Sequence, residues 1–143
     1  MASPIWHQVS LCITAKQRGF HLITDEIEQA LPDLNKVKVG LLHLFIQHTS
    51  ASLTINENAD YTVRQDLEAH FHHFVPENQS YYQHTYEGAD DMPAHIKSVL
   101  TNNQISLSVK DNQILLGTWQ GIYLFEHKLN PSKRIIVHHF VGE

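Results

Sequence analysis

The sequence predicts a single α+β domain, and three observations lead to this class. The chain has 143 residues, which is enough for one domain with one hydrophobic core. Several segments alternate apolar and polar residues with the period of two that is typical of half-buried strands. Other segments carry apolar residues at helical spacing, and the longest of these lies in the middle of the chain.

The composition excludes several classes of protein. Apolar residues make up 42% of the chain and charged residues 17%, as in ordinary globular proteins. The formal net charge is −5, and no Lys/Arg cluster is dense enough to bind a phosphate backbone, which disfavours nucleic acid as a partner. No apolar run approaches the ~20 residues of a membrane span, and the N-terminus does not resemble a signal peptide, so no membrane association is expected.

Cysteine usage indicates the compartment. Cys12 is the single cysteine, which excludes an intramolecular disulfide and a Cys-rich zinc site. A reducing environment is expected, and the predicted location is cytoplasmic. Histidine is unusually frequent, with 12 in the chain.

The sequence of residues 5–48 predicts a strand, a helix and a second strand. Residues 5–13 alternate as a half-buried strand does. Residues 24–31 have helical spacing, with Thr24 as a possible cap and Pro32 as the end. Residues 37–48 are apolar on both alternating sets, which predicts a strand buried on both faces.

The longest predicted helix follows, with either Asn56 or Asn58 as its cap and Pro76 at its end. Its apolar residues recur at intervals of four, four, four and three: Ala59, Val63, Leu67, Phe71 and Phe74. Three histidines near its end suit the helix dipole and are interpreted as solvated: His70, His72 and His73. Residues 77–90 are polar and Tyr-rich and are predicted to form a loop.

The sequence of the last third of the chain predicts a short helix over residues 93–101 and strands over residues 105–110 and 134–141. An Asp-Asn pair after the first of these strands indicates a turn and antiparallel pairing. Gly117 and Gly121 flank a stretch that indicates a bulge or a close backbone approach to a ligand. In the final strand His138 and His139 point to opposite faces.

The densest polar chemistry lies in residues 87–97. Pro93 suits the first turn of a helix, which places Asp91 at or near its N-cap. His95 would then share a face with Asp91, as suits a metal-ligand pair or an imidazole oriented by a carboxylate. The alternative is a capped helix with an exposed histidine.

A second candidate site begins where the 37–48 strand ends. His48 is followed by hydroxyl side chains, including Thr49 and Ser50, which could bind an anion or a metal-bound ligand. The alternative is a turn into a second strand with exposed hydroxyls. His7 and His21 have no acidic or histidine partner nearby in sequence and are interpreted as structural.

Three blocks of sequence, residues 47–58, 87–97 and 117–127, together resemble the YjbQ-like family. The resemblance extends over nearly the whole chain, from residue 19 to residue 143. It implies an α+β fold built on a bifurcated mixed β-sandwich, a homotrimer, and a secondary thiamine-phosphate synthase activity. It also implies a divalent metal, Mg²⁺ or Zn²⁺, and a small phosphorylated ligand.

The resemblance also implies the site residues. His48, His95 and His127 are the expected metal ligands, and with Asp91 they are the expected catalytic residues. Apart from the resemblance, a reaction of phosphorylated substrates needs donors around the phosphates, which Thr49, Ser50, Asn56 and Gln120 could supply, and Glu57 is also expected to contact the substrate. Two positions differ from the family pattern: Ala59 stands where many relatives have cysteine, and Lys128 replaces the usual arginine.

Three functions from different classes follow from these residues. The first is a transferase that joins a pyrimidine-methyl diphosphate to a thiazole phosphate with loss of pyrophosphate, which needs a cation at the leaving group. The second is a hydrolase in which a metal with an open position activates water. The third is a trimer that binds a metal or small ligand without catalysis.

Overall fold

The computed structural model describes residues 3–31 and 33–143, and its strands form two sheets. The strands are β1 (Ile5–Ile13), β2 (Gly19–Leu22), β3 (Val39–Ile46), β4 (Ala51–Glu57), β5 (Gln104–Lys110), β6 (Gln113–Ile114), β7 (Gln120–Glu126) and β8 (Arg134–Gly142). Five strands form one sheet in the order β1-β8-β3-β5-β6, and three form the other in the order β2-β7-β4. All pairings among the described strands are antiparallel. The α+β class is therefore confirmed.

The helices are α1 (Thr24–Gln29), α2 (Tyr61–Phe74) and α3 (Asp91–Leu100), with a 3₁₀ turn at Leu34–Lys36. None of the helices in the described residues is long and apolar enough to cross a membrane. The core lies between the sheets, where Leu42 and Leu44 of β3 and Ile122 and Leu124 of β7 are fully buried in one cluster.

Two predicted caps play other roles. The N-cap of α2 is Asp60, whose carboxylate accepts from the N–H of Thr62, whereas Asn56 is still within β4. Thr24 begins α1, but its hydroxyl accepts from the N–H of Ile122 and thereby joins the helix to β7. The predicted end of α1 at Pro32 lies outside the described residues.

Strand β3 differs from the sequence prediction. Its inward set, Leu42, Leu44 and Ile46, is buried, but Leu41 and Phe45 on the other set are 46% and 40% exposed. The strand is therefore buried on one face only within a single chain. Strand β7 is instead buried on both faces. Ile122 and Leu124 lie in the core on one face, and Phe20 and Phe71 pack against Phe125 on the other.

The two glycines around residue 120 serve the fold. A Cβ at Gly121 would lie 2.4 Å from a side-chain carbon of Leu22, so the close approach is to a neighbouring strand. The N–H of Gly117 donates to the side-chain amide oxygen of Gln120 at 2.8 Å, and the N–H of Gln120 donates back to the carbonyl of Gly117. This pair of bonds closes the turn that leads into β7.

Candidate functional site

The first turn of α3 brings two histidines onto one carboxylate. Oδ2 of Asp91 lies 2.6 Å from Nε2 of His84 and 2.9 Å from Nε2 of His95. Oδ1 of the same carboxylate accepts from Nζ of Lys128 at 2.7 Å. We call His84, Asp91 and His95 the Asp91 cluster. Within residues 3–31 and 33–143, it is the group of three potential ligands whose donor atoms lie within 4.8 Å of one another.

Local sequence explains how the cluster forms. Asp91 and His95 are four residues apart on a helix and therefore share a face. His84 comes from the loop before the helix, in which Asn78 and Gly88 adopt positive φ angles of 58° and 105°. The left-handed conformation at Gly88 carries little steric cost, and it lets the chain turn back so that His84 lies over the first turn of α3.

The proton on His95 can be assigned from its partners. Nδ1 lies 2.9 Å from the carbonyl oxygen of Thr49, which can only accept, so Nδ1 carries a proton and donates it. In the neutral ring Nε2 then has a lone pair, and it faces the anionic oxygen of Asp91. Two electron-rich atoms at 2.9 Å repel, so this geometry requires a cation between them, either a second proton or a metal ion.

Asp91 is held as a carboxylate. Burial alone would raise its pKa, but hydrogen bonds from Lys128 and His84, with the positive charges of Lys128 and His95, lower the pKa to about 2. The opposite balance applies at Lys128: burial would lower its pKa, and the hydrogen bond and charge of Asp91 and the charge of Asp90 raise it. Asp91 is therefore ionised, and available as a ligand, across the physiological range.

The donor set suits a transition metal. Two imidazole nitrogens and one carboxylate oxygen are ligands of zinc and related ions, whereas Mg²⁺ prefers oxygen ligands alone. A tetrahedral zinc ion with bonds of about 2.0–2.1 Å would hold its ligands about 3.3 Å apart. The distances from Oδ2 of Asp91 to the two imidazole nitrogens, 2.6 and 2.9 Å, would each have to lengthen by less than 1 Å. The hydrogen bond from His95 to Thr49 would fix the ligating tautomer, as is usual for metal-bound histidine.

A cavity of about 510 Å³ begins beside the cluster and shares His95 with it. Its other lining residues carry hydroxyl, amide, imidazole or small apolar groups: His48, Thr49, Ala51, Ser98, Val99, Thr101 and Asn103. A second depression of about 470 Å³ continues past His48, Thr49 and Ser50. Both are large enough for a small ligand, and neither is lined by Lys or Arg.

His48 lies near this site, but its ring nitrogens face other groups. Nε2 accepts from the backbone N–H of Ile135 at 2.8 Å, and Nδ1 lies 3.3 Å from the guanidinium of Arg134. Burial, and then the charge of Arg134, lower the pKa of His48 despite the opposing charge of Glu126. The lone pair of Nε2, which would bind a metal, therefore accepts a hydrogen bond from the backbone at the start of β8.

Arg134 and Glu126 form the ion pair that holds this corner of the fold. The guanidinium binds both carboxylate oxygens of Glu126, with 2.7 Å between Nε and Oε1, and it also donates to the carbonyl of Ser50. Both side chains are almost completely buried. The pair joins the end of β7 to the start of β8 and therefore links the two sheets.

His127 is buried, and its ring faces Ser52 and not the cluster. Its Nε2 lies 2.8 Å from the hydroxyl of Ser52, and its Nδ1 has no partner among the described residues. Burial, and then the charges of Lys97 and Arg134, lower the pKa of His127 to about 3. The structure therefore does not bring together His48, His95 and His127 within one chain as a set of metal ligands. It groups His95 with Asp91 and His84.

The predicted substrate residues divide between the two ends of β4. Thr49 and Ser50 precede the strand, whereas Asn56 and Glu57 end it and pair with Gly121 and Gln120. A seven-residue strand separates its ends by about 20 Å. Asn56 accepts from the N–H of Glu57, and Glu57 accepts from the N–H groups of the turn before α2, so both contribute to local structure.

His84 was not predicted as a site residue. It lies seven residues before Asp91 in a loop without a period, so its spacing gives no helical or strand signal. The signal available was indirect, namely a histidine in a polar loop that ends at an acidic helix start. The contact depends on the path of the loop, which local patterns do not specify.

The proteins that are similar to this chain match it over nearly its whole length. The family model described as "UPF0047 protein YjbQ-like" matches residues 9–143. A UPF0047 protein YjbQ of Escherichia coli O157:H7 is 52% identical over 97% of this chain and 100% of its own length. A UPF0047 protein of Synechocystis is 43% identical over 96% of this chain and 92% of its own length.

Solved structures show the same fold. A conserved hypothetical protein from Thermus thermophilus is 33% identical, with a TM-score of 0.77 over 90% of this chain and 97% of that one. A protein of unknown function from Sulfolobus solfataricus has a TM-score of 0.84 over 99% of this chain and 100% of that one, at 24% identity.

Proposed function

The chain belongs to the UPF0047 family of YjbQ-like proteins, and we propose that it is a metal-dependent enzyme acting on a small phosphorylated molecule. The observation that carries this proposal is the Asp91 cluster: two histidines and a depressed-pKa carboxylate converge at the edge of a cavity of about 510 Å³. A fold has little structural use for two imidazole nitrogens directed at one carboxylate oxygen beside an open cavity.

The proposed metal ligands are His84, Asp91 and His95. A divalent ion bound there would supply a Lewis acid for phosphate oxygens or an activated water. Thr49 would orient His95 through its carbonyl, and Lys128 would keep Asp91 ionised and fix its second oxygen. Hydroxyl and amide groups of Thr49, Thr101 and Asn103 would bind the polar part of the ligand in the cavity.

The first candidate reaction is the one that the family resemblance implies, a secondary thiamine-phosphate synthase activity. In this reaction a pyrimidine-methyl diphosphate is joined to a thiazole phosphate and pyrophosphate is released. The two contiguous depressions around His48 and Thr49 offer room for two small ligands. A cavity without Lys or Arg makes the ion the main positive charge for the diphosphate, consistent with a weak activity.

A second candidate, a metal-dependent hydrolase, is favoured by the composition of the cluster. Three protein ligands with nitrogen and oxygen donors leave a fourth position for water, which is the arrangement of catalytic zinc sites. The same donor set is less suited to Mg²⁺, the ion usual for diphosphate transfer.

One experiment separates these reactions. Protein stripped of metal would be reconstituted with Zn²⁺, Mn²⁺, Co²⁺ or Mg²⁺ and assayed for pyrophosphate release from the two thiamine precursors and for hydrolysis of a panel of phosphate esters. Metal-dependent pyrophosphate release supports the transferase, and turnover that consumes water supports the hydrolase. Tight metal binding without turnover of either kind would refute the enzymatic proposal and leave a binding protein.

We also propose that the chain forms a homotrimer through the outer face of the five-stranded sheet. Twelve positions in three rows across β1, β8, β3 and β5 carry no Asp, Glu, Lys or Arg: Trp6, Val141, Leu41 and Ser108; Gln8, His139, His43 and Ser106; Ser10, Val137, Phe45 and Gln104. Trp6 is 67% exposed on this face. Depletion of charge around exposed aromatic and aliphatic residues is typical of the centre of an interface between subunits.

A cytoplasmic location stays a prediction.

A further inference from the structure

Two histidines face each other in the middle of the outer face of the five-stranded sheet. His43 of β3 and His139 of β8 are directly opposite in the antiparallel register. Residues in such positions point to the same side of the sheet, with Cβ atoms about 4.5–5.5 Å apart. This separation allows two imidazole rings to place one nitrogen each on a common ion.

The surroundings of this pair resemble a binding site more than a solvated surface. Both histidines line a depression of about 230 Å³ together with Gln8, Phe45, Gln104 and Val137. The ring of Trp6 lies 5.5 Å from that of His139 and shields one side. Nε2 of His43 is buried and has no hydrogen-bond partner among the described residues. Because a buried polar atom without a partner destabilises the fold, a ligand for this nitrogen would be favourable.

The neighbours of the pair decide which ligand fits. No charged side chain occupies the twelve positions of this face, so an anion or an ammonium group would find no counter-charge there. Zinc, copper and nickel ions, in contrast, can be coordinated by the lone pairs of neutral imidazoles without a charged side chain beside them. Gln8 lies beside His139 in the same row and offers a side-chain oxygen as an additional donor.

We propose that His43 and His139 bind a divalent transition-metal ion at a second site, separate from the Asp91 cluster. The pair supplies two nitrogen ligands, and water or Gln8 completes the coordination. The two sites share no residue. They lie on different elements, since the Asp91 cluster is formed by α3 and the loop before it.

Zinc binding to the full-length protein tests this site. Metal-free wild type would be titrated with Zn²⁺ by calorimetry and equilibrium dialysis, beside His139→Gln, His43→Gln and His95→Gln. Wild type should bind two classes of ion. Each sheet variant should weaken one class by about tenfold or more and leave the other unchanged, and His95→Gln should do the reverse. His72→Gln, which removes an exposed histidine at the end of α2, should change neither class.

The outcomes separate this proposal from the proposed function. One class of ion that is lost only in His95→Gln would overturn the sheet site and leave the Asp91 cluster standing. One class of ion that is lost only in His43→Gln and His139→Gln would support the sheet site and overturn metal binding by the Asp91 cluster. Zinc binding that is unchanged from wild type in both sheet variants would overturn the sheet site, whether or not their oligomeric mass changes, because the same face is proposed to form the trimer interface. Circular dichroism would verify that each variant is folded.

Discussion

Asp91 and His95 lie one helical turn apart on α3, and Oδ2 of the carboxylate is 2.9 Å from Nε2 of the imidazole. The other ring nitrogen donates to the carbonyl of Thr49, so the nitrogen facing the carboxylate is the one without a proton in the neutral ring. An isolated pair of this kind would be repulsive. A second proton on His95 or a metal ion would remove this repulsion. His84 and Lys128 also contact the same carboxylate, so three basic side chains surround Asp91.

The first prediction concerns metal retention. His84→Ala and His95→Ala should each lose the metal ion that we propose for the Asp91 cluster, because each removes one of its three proposed ligands. His127→Ala should retain that ion, since its imidazole is buried against Ser52 and makes no contact with the cluster's carboxylate. Elemental analysis of the purified variants after dialysis measures this directly. If His127→Ala and His95→Ala lose the metal ion to the same extent, the result would support His127 as a ligand, as expected from the sequence, and contradict the Asp91 cluster.

The second prediction follows from the low pKa of Asp91. Since its folded pKa of about 2 lies below the ordinary value of 3.8, the ionised group stabilises the fold above about pH 4, and this contribution is lost as the pH falls through about 2. Asp91→Asn should lower the free energy of unfolding by roughly 2 kcal/mol at pH 7. Urea unfolding in the presence of chelator measures the difference.

The matched control for this variant is Asp66→Asn, which changes an exposed acid on α2. It should alter the free energy of unfolding by no more than about 0.5 kcal/mol. The two variants should also differ at low pH, because the loss in Asp91→Asn should shrink as the pH approaches 2. A pH-independent loss in Asp91→Asn would mean that packing, and not the carboxylate charge, accounts for it.

The sequence predicted what depends on local spacing. Alternation identified β1 and β5, an apolar run identified β8, and the pairing of Asp91 with His95 followed from a separation of four residues on a helix. Opposite faces for His138 and His139 were confirmed, since the first is fully buried and the second is exposed. These are contacts or directions that the backbone period specifies by itself.

The sequence did not predict what depends on the path of the chain between elements. His84 reaches Asp91 through a loop with two left-handed residues, and His48 turns its lone pair to a backbone N–H that lies 87 residues away. Alternation places Glu126 on one face of a strand, but its partner Arg134 lies in the next strand. Nothing in the pattern distinguishes a buried ion pair from polar residues at strand ends.

The third prediction tests that ion pair. Glu126→Gln keeps the size of the side chain but leaves Arg134 buried without a counter-charge, so the free energy of unfolding should fall by about 3–5 kcal/mol. Asp33→Asn, which breaks the partly exposed ion pair with Lys36, should cost less than about 1 kcal/mol. Urea unfolding at pH 7 compares the two. Similar small losses in both would show that water or another group compensates Arg134.

The fourth prediction concerns assembly. Light scattering of the wild type at micromolar concentration should give three times the mass of the chain. Leu41→Glu introduces a charge in the centre of the charge-free face and should shift the mass toward that of one chain. Leu100→Glu changes a similarly exposed leucine at the end of α3 and should leave the mass unchanged. A monomeric wild type would contradict the trimer, and a trimeric Leu41→Glu variant would place the interface elsewhere.

The last prediction concerns His138, whose side chain is completely buried and whose two ring nitrogens have no partner among the described residues. Burial, and then the neighbouring His7, lower the pKa of His138 to about 4. Because the unfolded chain binds a proton near pH 6.5 and the folded protein does not until about pH 4, this group destabilises the fold progressively as the pH falls between these values.

Removing the imidazole should therefore stabilise the protein, and more so in acid. His138→Leu should raise the free energy of unfolding by roughly 1 kcal/mol at pH 7, because an unsatisfied polar group leaves the core. At pH 5 the gain should grow by about 2 kcal/mol, since the unfolded variant no longer binds the extra proton. Urea unfolding at both pH values measures the two gains, with His72→Leu as the control for the loss of an imidazole at an exposed position, which should change the free energy of unfolding at pH 7 by no more than about 0.5 kcal/mol. A loss of stability at pH 7 in His138→Leu would show that the buried ring has a hydrogen-bond partner in solution, and an equal gain at both pH values would show that its protonation is not linked to folding.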